Sequence, residues 1–204
     1  MDKVFHIAAH LTIQNNQINL NEEELYESNA EDFISFSKEV YKHLKIDYPK
    51  FFKMDNLSKL AFLGAEILLR NQGLNDSDND IALVLANRSS SLDTDFKYQQ
   101  SIADKESYYP SPAVFVYTLP NICIGEISIR HKLYSENTFF IFESFNAAFL
   151  TNYSTHLLTS RKAEKVLMGW VEYFQGEYKA FMCLIAEEGL EVFDKEIIKE
   201  IYTK

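Results

Sequence analysis

The sequence predicts an α/β protein, a layered domain in which helices flank a mixed sheet. Three observations predict it. Residues 81–86 form a short apolar run bounded by polar residues, the pattern of a strand buried on both faces. Leu57, Leu60, Ala61, Gly64, Ile67 and Leu68 recur at helical spacing and form one apolar stripe. Residues 166–171 and 178–185 are two further apolar runs joined around Gly176, which reads as a hairpin supplying an antiparallel edge.

Along the chain, residues 4–13 mix apolar and β-branched side chains and read as the first strand, and residues 22–27 as a polar turn. Phe33, Phe36, Val40 and Tyr41 mark a helix over residues 28–42, followed by a connection holding Tyr48, Pro49, Phe51 and Phe52. Asp55 or Asn56 can accept from the free N–H groups that open the Leu57 helix, and Gly73 stands where its left-handed C-cap would fall. A polar loop over residues 75–80 leads into strand 81–86. Beyond Ser89, Ser90 and Ser91 a helical stretch covers residues 98–102, after which Pro110 and Pro112 are expected to interrupt any regular element. Residues 121–133 read as a helix, 138–142 as a strand and 145–162 as a helix. The hairpin follows, and an amphipathic tail carrying Leu190, Val192, Phe193, Ile197, Ile198 and Ile201 closes the chain. No repeat, low-complexity segment or linker divides it, so residues 1–204 are expected to form a single domain.

Composition narrows the function. The 47% apolar and 25% charged content, with 16 Phe and 12 Tyr, is that of a chain able to bury a core. Thirty acidic residues against twenty basic ones give a formal charge of −10, which repels nucleic acid and anionic membrane surfaces. Its apolar runs fall far short of the ~20 residues that cross a bilayer, and residues 1–9 lack the pattern of a signal peptide. The expectation is a cytoplasmic protein with no membrane and no nucleic-acid partner. Cys123 and Cys183 lie far apart in apolar surroundings, so they are expected to be two buried thiols rather than a disulfide or a zinc site.

The loop Asp76, Ser77, Asp78, Asn79, Asp80 resembles the start of a calcium loop, but Ile81 replaces the turning glycine and Asn87 the closing glutamate. His6, His10, His43, His131 and His156 show no metal spacing. Neither a metal nor a cofactor is expected, and no dinucleotide fingerprint, phosphate loop or serine-hydrolase elbow is present.

The informative stretch follows Pro112. Residues 112–121, Pro-Ala-Val-Phe-Val-Tyr-Thr-Leu-Pro-Asn, followed by Gly125, Ile127 and Ile129, resemble the Tyr-x-Leu-Pro-Asn-x-x-x-Gly segment of β-ketoacyl-[acyl carrier protein] synthases. Strand 81–86 with its serine-rich loop, the Asn137-Thr138-Phe139-Phe140-Ile141 run and Gly169-Trp170-Val171-Glu172 are similar to segments of the same enzymes in the same order. The resemblance covers most of residues 55–190. It implies a three-layer thiolase-like half domain with a mixed five-stranded sheet.

It also implies where chemistry would sit. The family nucleophile is a cysteine at a strand-to-helix turn, and the matching position is Ser144, flanked by Glu143 in place of a small residue. A serine hydroxyl needs an adjacent base, whereas a cysteine needs only a modest pKa depression, and a neighbouring carboxylate opposes any anion. The family's remaining catalytic groups come from a second copy of the α/β unit, to which nothing in these 204 residues corresponds. The implied function is a non-catalytic synthase-like subunit of fatty acid, polyketide or polyene-type biosynthesis. It would resemble chain-length factors and pair with itself or with a full-length ketosynthase, with acyl carrier protein as a further partner. The competing class is an acyl-thioester transferase or hydrolase that uses Ser144 with a base from a partner. The strand Thr138, Phe139, Phe140, Ile141, Phe142 lies at the two-fold axis of the family, which implies a subunit contact here with Phe139 and Phe145 as anchors.

Overall fold

The first part of the sheet is a meander built on mirror-image turns. β1 (His6–Gln14), β2 (Gln17–Leu20) and β3 (Glu23–Glu27) pair antiparallel, with Gln14 opposite Gln17 and Leu20 opposite Glu23. Asn15, Asn16, Asn21 and Glu22 all take positive φ, giving two-residue turns whose twist matches that of the strands they join. The computed structural model describes residues 3–70, 72–74, 76, 78–104, 106 and 108–204. Asn75 and Ser77 of the acidic loop lie outside the described residues. The segment expected to be a polar turn, residues 22–27, is thus mostly strand β3. Its polarity reflects an edge position, where exposed Glu23, Glu24 and Glu27 face water instead of a core.

The centre of the sheet follows the apolar runs. β4 (Ile81–Asn87), buried throughout, is parallel to β5 (Asn137–Ile141) on one side and to β6 (Lys165–Phe174) on the other. β7 (Glu177–Ala186) runs antiparallel to both β6 and β1. Gln175 and Gly176, both at positive φ, make the β6–β7 turn. The order is β3-β2-β1-β7-β6-β4-β5, and the two-residue β8 (Glu191–Val192) also pairs with β1. Among the described residues the sheet therefore has eight strands, not five. The five anticipated ones form its contiguous block β1-β7-β6-β4-β5, extended at one edge by the meander. Gly169 on β6 lets β7 approach closely, since a Cβ there would stand 2.3 Å from the Phe181 carbonyl oxygen.

Two helical layers cover the sheet. On one face lie α1 (Phe33–His43), a 3-10 turn (Pro49–Lys53), α2 (Asn56–Leu69) and α5 (Ile122–His131). Asp55 caps α2 by accepting from Ser58 N at 2.9 Å, and every α2 residue except Lys59 is buried. Its outer side is closed by Tyr48 and Phe51, whose rings pack on Phe62 at 5.4 and 5.6 Å. Gly73 is left-handed, but α2 ends at Leu69 with Arg70 as its C-cap, so Gly73 turns the following loop instead. α3 (Leu92–Ala103) starts earlier than residues 98–102 suggested and packs against α4 (Pro112–Val116). Pro112 does not break α4 but begins it, because the N–H that proline lacks would have no partner within the helix in the first turn.

On the opposite face α6 (Ala147–Thr159) and α7 (Lys195–Thr203) cover a second core of Val84, Met168, Trp170, Phe181 and Ile185. Ile198 and Ile201 of α7 are buried there. Among the described residues no helix is long and apolar enough to cross a membrane.

Candidate functional site at the end of strand β5

β5 ends at Ile141, and α6 begins at Ala147. Ser144 occupies the bend between them and is exposed. Asn146 caps α6, its carboxamide oxygen accepting from Phe149 N at 3.0 Å. The first-turn donor is thus satisfied by Asn146, and Ser144 stands two residues ahead of the cap. That separates it from the helix N-terminus, whose field falls off within a turn.

The bend opens on a depression of about 610 Å³. Glu143, Ser144, Phe145 and Asn146 form one wall, and Lys195, Glu196, Lys199, Tyr202 and Thr203 of α7 form the other. The floor is aromatic: Phe145 stacks on Tyr202 at 3.9 Å and meets Phe181 at 5.6 Å and Trp170 at 6.1 Å. Lys179 fixes Tyr202 from behind, with Nζ 4.0 Å from the ring centroid and donating to the Tyr202 carbonyl at 3.0 Å. Phe145, expected as an interface anchor, is therefore engaged inside its own chain. Trp170, 5% exposed, is buried in the second core.

None of the five histidines lines this depression. His6 contacts the Glu187 carbonyl through Nδ1 at 2.8 Å, and His10 is buried beside Glu22 and Lys204 in a separate small cavity. His43 packs on the Tyr26 ring, His131 Nε2 lies 3.0 Å from Glu66, and His156 is exposed near the far end of α6. Cys123 and Cys183 are buried free thiols, and burial pushes both up, away from thiolate character. Among the described residues no three His, Cys, Asp or Glu side chains are grouped to hold a metal ion.

Two motif residues turn out to tie elements together. Tyr117 donates to Glu126 at 3.0 Å, while Lys50 pairs with the other Glu126 oxygen at 2.8 Å, joining α4, α5 and the 3-10 turn. Burial, reinforced by the Glu126 carboxylate, pushes the Tyr117 phenol well up. Glu172 accepts from Arg88 N at 2.7 Å and Ser89 N at 3.3 Å, which holds the loop after β4 against β6. The α7 wall was not foreseen as part of the site. Its only signal was the apolar spacing of Ile197, Ile198 and Ile201, which tells that the tail docks but not where.

Among the described residues β5 forms one edge of the sheet and pairs only with β4. Thr138, Phe139, Phe140 and Phe142 are half-buried and Ile141 is exposed. Phe139 packs toward the α2 face, whereas Phe140 and Phe142 pack toward the α6 face.

This three-layer α/β arrangement has the fold seen in solved β-ketoacyl synthases, of which it spans less than two thirds of the first one's length. No protein-family model and no curated protein sequence matches this chain. Among solved structures, the ishigamide ketosynthase/chain length factor aligns with a TM-score of 0.65 at 17% identity, over 90% of this chain and 62% of that one. A ketosynthase (ApeO) in complex with its chain length factor (ApeC) from Xenorhabdus doucetiae gives 0.58 at 17% identity, over 91% of this chain and 80% of that one. A β-ketoacyl synthase from Burkholderia phymatum STM815 gives 0.61 at 10% identity, over 99% of this chain and 62% of that one.

Proposed function

We propose that this chain is a non-catalytic synthase-like subunit that pairs through β5 with an active ketosynthase in fatty acid, polyketide or polyene-type biosynthesis, residues 1–204 acting as a single unit. The observation that carries the reading is the contrast between the two sheet edges. β3 presents exposed Glu23, Glu24 and Glu27, the usual protection against stray pairing, whereas Asn137, Thr138, Phe139, Phe140 and Ile141 of β5 carry no charge at all. An uncharged, half-exposed apolar edge is stable in solution when another strand covers it. The solved neighbours, one of them a ketosynthase in complex with its chain length factor, support a partner of the same fold.

The site supports the non-catalytic half of the proposal. Ser144 shares the depression with Glu143, Lys195, Glu196 and Lys199, and no imidazole is among its lining residues, which supports the reading that the family's histidine base is missing here. Acyl carrier protein enters as a partner of the pair.

Reconstitution tests the reading. Acyl- and malonyl-carrier protein are supplied to this chain alone, to a full-length ketosynthase from the same source, and to both together. The expected result is no elongation by this chain alone and an altered rate or product length with both. Elongation by this chain alone contradicts the proposal. Acyl-thioester turnover that disappears on Ser144→Ala would instead make Ser144 an acyl-transfer nucleophile served by a partner's base.

A further inference from the structure

Three helices, α1, α2 and α5, end around a second depression of about 530 Å³, and cations gather there in a chain whose formal charge is −10. Lys45, Arg70, Arg130 and Lys132 line it together with Glu66, His131 and Asp76. Glu66 is already engaged. It accepts from Arg130 Nη2 at 2.7 Å and from Nε at 3.2 Å, and His131 Nε2 lies 3.0 Å away. Lys45, Arg70 and Lys132 then stand against the carboxylate of Asp76, which leaves a formal excess of two positive charges with histidine taken as neutral.

The helix ends do not account for this excess. A helix C-terminus carries partial negative charge that a nearby cation offsets, but here the terminal carbonyls already have donors. Tyr41 O accepts from Ile46 N, Leu69 O from Gln72 N, His131 O from Asn79 Nδ2 and Lys132 O from Asn79 N, at 2.8–3.1 Å. Arg70 Nη2 donates to Leu44 O at 2.5 Å, and Lys132 Nζ donates to the Asp76 carbonyl. Each of these two cations has further N–H groups to offer. Among the described residues the Lys45 ammonium has neither a hydrogen-bond nor an ion-pair partner. Lys45 and Lys132 also share a backbone peculiarity: both stand at positive φ, 51° and 54°, at helix ends where glycine is the least strained choice.

We infer that this depression binds the phosphate group of a small molecule. A phosphate dianion matches an excess of two positive charges, and a guanidinium fork with two ammonium groups can donate to its several oxygens. The volume exceeds that of phosphate alone, and Ile46, Leu69 and Leu74 supply an apolar wall for whatever carries it. The site flanks the start of β4, whereas Ser144 follows the end of β5, which runs parallel to β4. The two therefore lie at opposite ends of the sheet, and the inference is independent of the proposed function.

Isothermal titration calorimetry on the full chain tests this with inorganic phosphate and with phenyl phosphate, at constant ionic strength and a pH of about 8, where both are mainly dianionic. Saturable binding with a Kd of about 1 mM or tighter is expected. Tighter binding of phenyl phosphate assigns the site to a phosphate ester, and equal or weaker binding assigns it to free phosphate. Lys45→Gly and Lys132→Gly each remove one charge and relieve the left-handed backbone, so both should fold by circular dichroism and weaken binding at least about ten-fold. Lys45→Gln gives the same reading should a glycine variant fail to fold. Lys97→Gln, which removes an exposed charge on α3, should keep the affinity within about two-fold. The inference is overturned if neither anion binds saturably, if neither lysine of the depression weakens binding when replaced, or if Lys97→Gln weakens it as much as they do.

Discussion

Glu66 shows how one residue couples packing to solution conditions. It lies within α2, where Arg130 Nη2 approaches it at 2.7 Å and His131 Nε2 at 3.0 Å. Burial, the largest single influence, pushes its carboxyl up, but the hydrogen bonds and charges of His131 and Arg130 together hold it at about 2, below its ordinary 4.5. A depressed carboxylate contributes stability that is fully present above pH 4.5 and is lost as pH falls toward 2. Urea titrations across that window should show a loss of about 2–3 kcal/mol for the wild type, while Glu66→Gln should be flatter over the same range. Gly169→Ala should cost about 1–3 kcal/mol, read as a lowered Tm, because the new Cβ would have to displace the β7 backbone. At Ser144 the expectation is chemical. Ser144→Cys restores a thiol without a base or oxyanion donors, so elongation assays with that variant alone should remain blank.

At the scale of elements, what the sequence revealed and what it hid follow from where each segment buries its side chains. β4, β6 and β7 were readable because both faces are buried and their residues are almost continuously apolar. β2 and β3 were not, since an edge meander carries polar side chains and its turns use Asn15, Asn16 and Asn21 instead of the more telling Asn-Gly pair. The α4 helix was hidden by reading Pro112 as a breaker when it is a first-turn residue. The α7 helix was legible as an element, but its docking over Phe145 depends on contacts between residues far apart in the chain. That docking makes a prediction: Tyr202→Ala, which removes the ring stacked on Phe145 and held by Lys179, should cost about 2–4 kcal/mol and increase binding of an apolar dye. For β5, Phe140→Lys should leave secondary structure intact by circular dichroism, because the edge position lets a long cation reach water.

The whole molecule reads as one sheet with a defended edge and an open one. The resemblance carried by residues 112–129, 137–141 and 169–172 was sufficient to anticipate the layered fold and to place Ser144 between a strand and a helix. What it left out was the second wall of the depression, since that is not a property of any single segment. The central claim is that β5 is the contact with a ketosynthase, and sedimentation velocity tests it most directly. At micromolar concentration, the wild-type chain mixed with a full-length ketosynthase from the same source should sediment as a larger complex, and Phe140→Lys should sediment as a separate species. A wild type that sediments apart from the ketosynthase, or a Phe140→Lys variant that still sediments with it, would contradict the account.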